Sequence, residues 1–249
     1  MISKSINLVA LQLKTTNKFE KNLKKLVKHI KETPAKSFIL APELYLTGYS
    51  YDRLEEAVEF TNIAKKKLLK LSKNKTIALT LTTKKNNQYF NTLHIFHNNK
   101  VVHTQSKNKL FVMNDERKYF TKGDEEDIKI IEIDGLKIAS IICFELRYIE
   151  LWKKLQGADI ILVPSMWGKA RKDNFETLTK ALAVANQCFV LATNSANENM
   201  ARSSAIISPF GDVVINDTKK IISSNVNLRE IKKMRRYLNI GIYNEYNTK

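Results

Sequence analysis

Apolar residues fall into two kinds of run along this chain, and their alternation sets the expected architecture. Short branched or alternating runs predict strands at 5–13, 37–40, 76–82, 90–96, 101–105, 128–133, 136–142, 159–163, 188–193, 203–207, 212–215 and 219–226. Apolar positions three and four apart predict helices at 17–31, 52–71, 145–156, 173–187 and 227–238. The first has Phe19, Leu23, Leu26, Val27 and Ile30 on one face, and Pro34 closes its region. Asp52 and Asp173 stand where N-caps are expected. Asn98-Asn99 and Asp134-Gly135 are hairpin turn signals, and Pro209-Phe210-Gly211 marks a third hairpin. Residues 106–126 form a long polar segment of the kind that serves a function or moves. Strands alternating with helices, with hairpins among them, predict an α/β fold with a mixed sheet and helices outside. No repeat or linker divides the chain, so 1–249 is expected to be one domain, with 239–249 as a C-terminal arm.

Composition narrows the classes. The 249 residues, 43% of them hydrophobic, are ample for a packed core and exclude a disordered chain. No run reaches membrane-spanning length and no signal-peptide core opens the chain, so a cytoplasmic protein without membrane association is expected. The two cysteines, Cys143 and Cys188, make no disulfide framework. A net charge of +17 raises the question of a nucleic-acid partner. The lysines are scattered along the whole length without a nucleic-acid motif, so a solvated surface is expected and no nucleic acid.

Chemistry concentrates at three strand ends. The run Ile138-Ala139-Ser140-Ile141-Ile142 stops at Cys143, and helical spacing (Leu146, Ile149, Trp152, Leu155) follows up to Gly157. A side chain at such a strand-to-helix turn stands up from the sheet edge beside free N–H groups, which favour a thiolate and can hold an oxyanion. A buried structural cysteine is the alternative. Glu43 follows the strand 37–40 and Lys107 the strand 101–105. Sites in open α/β sheets gather at the carboxyl ends of strands. A thiol, a carboxylate and an ammonium meeting there can carry out acyl transfer. No His/Cys spacing suits a metal, and neither a metal nor a cofactor is expected.

These residues carry a resemblance to the carbon–nitrogen hydrolase (nitrilase) superfamily. Ala41-Pro42-Glu43-Leu44 with Thr47-Gly48-Tyr49 resembles its glutamate motif, and Lys107-Asn108-Lys109-Leu110-Phe111 its lysine motif, with Lys109 where histidine is frequent. Cys143-Phe144-Glu145-Leu146-Arg147 resembles the cysteine motif, the stretch from Glu116 to Asp124 the segment with a second active-site glutamate, and Ser208-Pro209-Phe210-Gly211 the late hairpin. The resemblance implies a four-layer αββα sandwich with mixed sheets, assembled as a homodimer, that hydrolyses a small linear amide. It implies Cys143 as nucleophile, Glu43 as base, Lys107 and the Phe144 N–H as oxyanion donors, and Glu116 as an orienting group. Val163-Pro164-Ser165-Met166-Trp167, with Arg171 beyond, resembles the ω-amidase and deaminated-glutathione amidase branch. Met166, Trp167 and Tyr49 are candidate pocket residues, although Trp167 and Tyr49 can equally serve packing. Lys169 and Arg171 can pair with a substrate carboxylate, which suggests an anionic amide such as an α-keto acid ω-amide. Arg147 is expected to support the turn through Glu145 or Glu150. The chain departs from the family at Leu182 and Ala185, where arginine and glutamate are usual, at Ile149, where proline is common, and in the spacing of Glu116 from Lys107. An N-carbamoyl amidase, a nitrilase and a non-catalytic binding protein on the same scaffold are the competing expectations.

Overall fold

The computed structural model describes residues 5–242, so 243–249 of the expected arm lie outside the described residues. The chain opens β1 (Ser5–Leu11), α1 (Phe19–Glu32), β2 (Ser37–Leu40), α2 (Leu54–Leu71), β3 (Thr76–Lys85), β4 (Gln88–His97) and β5 (Lys100–Ser106). It continues α3 (Glu116–Tyr119), β6 (Ile131–Ile133), β7 (Leu136–Ser140), α4 (Ile149–Lys154), β8 (Ile160–Pro164), α5 (Lys172–Asn186) and β9 (Phe189–Thr193). It closes β10 (Ala205–Ile207), β11 (Val213–Ile215), β12 (Ile221–Asn227) and α6 (Arg229–Tyr237). Two six-stranded mixed sheets result, in the orders β12-β1-β2-β3-β4-β5 and β11-β10-β9-β8-β7-β6.

Strand periodicity explains how the sheets stack. Leu8 and Ala10 of β1 and Phe38 and Leu40 of β2 enter the cluster shared with Ile138, Ile160 and Leu162 of the second sheet. The intervening Val9, Leu11 and Ile39 turn the other way, onto Leu23, Leu26 and Ile30 of α1 and Phe60, Ala64 and Leu68 of α2. Both faces of the central strands are therefore covered, and their near-continuous apolar runs follow. Each fully buried leucine or isoleucine contributes roughly 1.5–3 kcal/mol. The αββα sandwich is the expected architecture. Among the described residues, no helix is long and apolar enough to cross a membrane.

Several boundaries differ from expectation. The β3–β4 hairpin runs past the apolar core of its strands, to Lys85 and Gln88, around Asn86 and Asn87 at φ 49° and 62°. Asparagine tolerates this left-handed region, and two such residues close a two-residue hairpin. Asp52 is not an N-cap: it lies in a 3₁₀ turn, Tyr51–Arg53, ahead of α2. Asp173 lies inside the first turn of α5, where its negative charge still interacts favourably with the positive end of the helix dipole. The helix expected over 145–156 divides into a 3₁₀ turn, Cys143–Arg147, and the short α4. That change of phase leaves Ile149 60% exposed and buries Leu151 instead. Leu182 is fully buried in the core and Ala185 is exposed, so the polar pair usual in the family is replaced by packing on one side and by solvent on the other.

His94 of β4 is buried, stacked near Phe96, and burial pushes its imidazole down to about 4. The folded chain keeps it neutral while the unfolded chain takes up a proton below about 6.5. This stability is present above that value and is lost as pH falls toward 4, by roughly 3 kcal/mol in all. In His94→Leu, the urea midpoint should depend less steeply on pH between 7 and 4.5 than in the native protein. Parallel curves would remove His94 as the cause.

Candidate active site

The ends of the first sheet contribute a carboxylate and an amine, and the polar segment after β5 a second carboxylate. Glu43 stands three residues beyond β2, with its N–H on Ser165 O (3.2 Å) and the next N–H, that of Leu44, on Thr80 Oγ1 (2.6 Å). Lys107 follows β5 directly, its N–H on Asn91 O (2.8 Å). Its ammonium is fully buried and touches Glu43 Oε1 at 2.8 Å and both Glu116 oxygens at 2.9 Å. Tyr49 Oη lies 3.2 Å from the same nitrogen and donates to Glu116 Oε1 (3.3 Å). The short α3 inside the long polar segment brings Glu116 in, and the Phe111 N–H holds its Oε2 at 2.6 Å. Gly123 lets that segment press on the lysine turn: its N–H reaches Lys107 O (2.8 Å), and a Cβ there would lie 2.2 Å from Ser106 O.

The second sheet contributes the thiol. Cys143 follows β7 with φ 51°, the left-handed region, which a non-glycine residue adopts at a cost that clusters at functional turns. The thiol is near enough to Glu43, Lys107 and the Met166 backbone N–H for each of them to act on its ionisation. Glu43 Oε1 is already shared by Lys107 and Asn91 Nδ2 (2.9 Å), while Oε2 is buried without a hydrogen-bond partner. The structure thus brings together Glu43, Lys107, Glu116, Tyr49 and Cys143 in one buried cluster.

Charge in this cluster runs against one expectation. Burial pushes the Cys143 thiol well up and Glu43 pushes it further, against Lys107 and the Met166 N–H. The turn's donors therefore do not make a resting thiolate, because desolvation and a neighbouring carboxylate outweigh them. Burial alone would depress the Lys107 ammonium, yet Glu43, Cys143 and Glu116 together hold it above its usual range. Burial also raises the Glu116 carboxyl, with Glu43 adding to it and Lys107 opposing.

Around the thiol lies a strip of aromatic rings. Phe144 meets Phe111 at 5.0 Å and Tyr148 at 5.5 Å between centroids. Arg171 lies 5.2 Å over Phe111, and Lys109 lies 5.3 Å over Tyr148 while pairing with Glu125 (3.0 Å). Arg171 has no carboxylate partner among the described residues. Trp167 is buried between Phe175 and the guanidinium of Arg147, with its backbone N–H on Asn194 Oδ1 (2.8 Å) and its indole N–H without a hydrogen-bond partner. The expected support of the turn by Arg147 through Glu145 or Glu150 is corrected: Arg147 covers Trp167 and donates to Asn174 Oδ1 (2.8 Å), because the turn directs Glu145 inward.

Two residues of this region escaped the sequence reading. Asn91 binds Glu43 through its side chain and Lys107 through its carbonyl, and a polar residue inside the buried part of a strand was the available signal. Glu145 is fully buried and accepts the N–H groups of Asn108 and Ile142, both at 2.6 Å. Burial pushes its carboxyl up to about 7, against those N–H groups and Lys107.

The chain is similar to known proteins over most of its length. It is 29% identical over 218 residues, 82% of this chain and 83% of the relative, to 2-oxoglutaramate amidase of Bacillus subtilis (strain 168). A carbon-nitrogen hydrolase from Helicobacter pylori G27 has a similar crystal structure, with TM-score 0.84 and 20% identity, covering 94% of this chain and 93% of that one. The NitFhit protein of C. elegans superposes with TM-score 0.87 and 18% identity over 98% of this chain and 66% of that one. The sequence pattern of the carbon-nitrogen hydrolases matches residues 8–236, and the chain belongs to this family, the nitrilase superfamily.

Proposed function

We propose that the protein is an amidase that cleaves a small linear amide through a thioester on Cys143. The observation behind this reading is the ammonium of Lys107 held 2.8 Å from Glu43 and 2.9 Å from Glu116, with the Cys143 thiol buried near enough for Glu43 and Lys107 both to act on its ionisation. A raised thiol needs a base at the moment of attack, and Glu43 is the carboxylate in place to take the proton. The sulfur then bonds to the amide carbon, and the oxygen gains the negative charge. Lys107 and the Phe144 N–H stabilise that oxyanion. The proton passes from Glu43 to the nitrogen, the C–N bond breaks and ammonia leaves. Glu43 next removes a proton from water, whose oxygen attacks the thioester, and the acid departs as the thiol is restored. Glu116, fixed by Lys107 and the Phe111 N–H, orients the substrate amide.

The substrate in this reading is an ω-amide carrying a carboxylate, of the α-keto acid type. The Bacillus relative is named for 2-oxoglutaramate. Arg171, seated on Phe111, which packs on Phe144 next to Cys143, supplies a cation on this side of the cluster. Tyr49 and Met166 flank the reacting groups, Tyr49 through Lys107 and Met166 through the thiol. The protein is expected to act as a homodimer, without a metal or cofactor.

Two outcomes test the reading. Cys143→Ala should abolish ammonia release from 2-oxoglutaramate, and Glu43→Gln and Lys107→Met should each lower kcat by about 10³-fold or more. Lys107→Met should also lower the unfolding free energy by roughly 3 kcal/mol, because it strands two buried carboxylates. Wild-type turnover by any of these three variants would defeat the mechanism. Separately, Arg171→Ala should raise KM for the anionic ω-amide about tenfold and raise KM for a neutral amide much less. Equal effects on both substrates would remove the anionic-substrate assignment.

A further inference from the structure

The reacting groups belong to different sheets. Glu43 and Lys107 leave β2 and β5 of one, and Cys143 leaves β7 of the other. Packing between sheets is non-directional and sets a spacing without fixing a slide along the strands. The distance from thiol to base and ammonium therefore needs a directional tie across the gap.

Glu145 is placed to supply it. One oxygen accepts the N–H of Asn108, the residue after Lys107, and the other accepts the N–H of Ile142, the residue before Cys143. One carboxylate thus grips both chains at the positions flanking the ammonium and the thiol. Both bonds are 2.6 Å, and the side chain is fully buried, where a carboxylate–amide bond is strong and its loss is costly. Gln105 makes a weaker parallel tie, its Nε2 on Ser140 O at 3.1 Å, from β5 to β7. Asn108 adds a side-chain bond to Gly123 O (2.7 Å), which carries the restraint into the segment that bears Glu116.

Resting on the amidase reading, we propose that Glu145 is a positioning residue: its carboxylate ties the lysine turn to the cysteine turn and sets the alignment of Cys143 with Glu43 and Lys107. Glu145 touches no reacting atom in this role. Its replacement changes the rate of the chemical step and leaves substrate affinity almost untouched.

Glutamine keeps the size of Glu145 but offers one acceptor and turns an NH₂ toward the second N–H. In Glu145→Gln, kcat for amide hydrolysis should fall ten- to a hundredfold with KM within threefold of native and a thermal midpoint within a few degrees. Glu145→Asp keeps the charge on a shorter stem and should fall between Gln and native. If Glu145→Gln does not fold, the Asp variant decides. A folded variant with kcat within twofold of native, or with KM raised and kcat unchanged, overturns the proposal. Alkylation of Cys143 by iodoacetamide, with buried Cys188 as the internal control, gives a readout that needs no substrate. The rate should drop at least fivefold in Glu145→Gln. A native protein that alkylates at Cys143 yet releases no ammonia from any amide sinks the amidase reading, while the alkylation ratio still judges the tie.

Discussion

A single ammonium between two buried carboxylates governs the site. Lys107 neutralises one of the two negative charges that Glu43 and Glu116 can carry, and none of the three side chains reaches solvent. Removing such groups from water costs several kcal/mol each unless geometry returns it, and the contacts at 2.8–2.9 Å are of the charge-assisted kind. A second negative charge, on sulfur, is then unwelcome, which is why the thiol is held protonated beside Glu43. In the proposed amidase mechanism, the nucleophile is then neutral at rest and anionic only as the carboxylate accepts its proton.

The surrounding architecture serves that balance. Carboxyl ends of strands from both sheets point into one region, and the alternation of inward and outward residues along β1 and β2 lets a single apolar layer join the sheets. Short polar links then cross at the same end: Thr193 Oγ1 to Ala41 O (3.0 Å), Glu43 N to Ser165 O (3.2 Å), and Gln105 to Ser140. Dispersion supplies cohesion, and these hydrogen bonds supply direction.

Much of this was legible in the sequence, and the limits have physical causes. Strand runs near 5–13, 37–40 and 136–142 were readable because both faces are buried, which leaves unmistakable apolar blocks. Glu43 and Cys143 were readable because each stands at the end of such a block, and Lys107 because it follows a mostly exposed strand whose hairpin turn is marked. The Asn98-Asn99 and Asp134-Gly135 turns were readable because few residues accept positive φ. The outer β3–β4 hairpin was not, because its ends are solvated and no apolar pattern marks them. The elbow helix was misphased because Leu146, Trp152 and Leu155 are buried across a 3₁₀ turn as they would be on one helix. Asn91 and Glu145 were hidden because their importance lies in partners remote along the chain, and local spacing carries no trace of those.

The division of the reacting groups between two stacked sheets also constrains how the interior can drift. Leu40 and Ile138 lie outside the Glu43–Lys107–Cys143 cluster, yet they belong to the layer that spaces the sheets bearing Glu43 and Cys143. Deleting one methyl group there costs roughly 0.5–1.5 kcal/mol and leaves a gap that the neighbours refill only in part. If the proposed mechanism holds, conservative exchanges in this interior act on turnover as well as on folding.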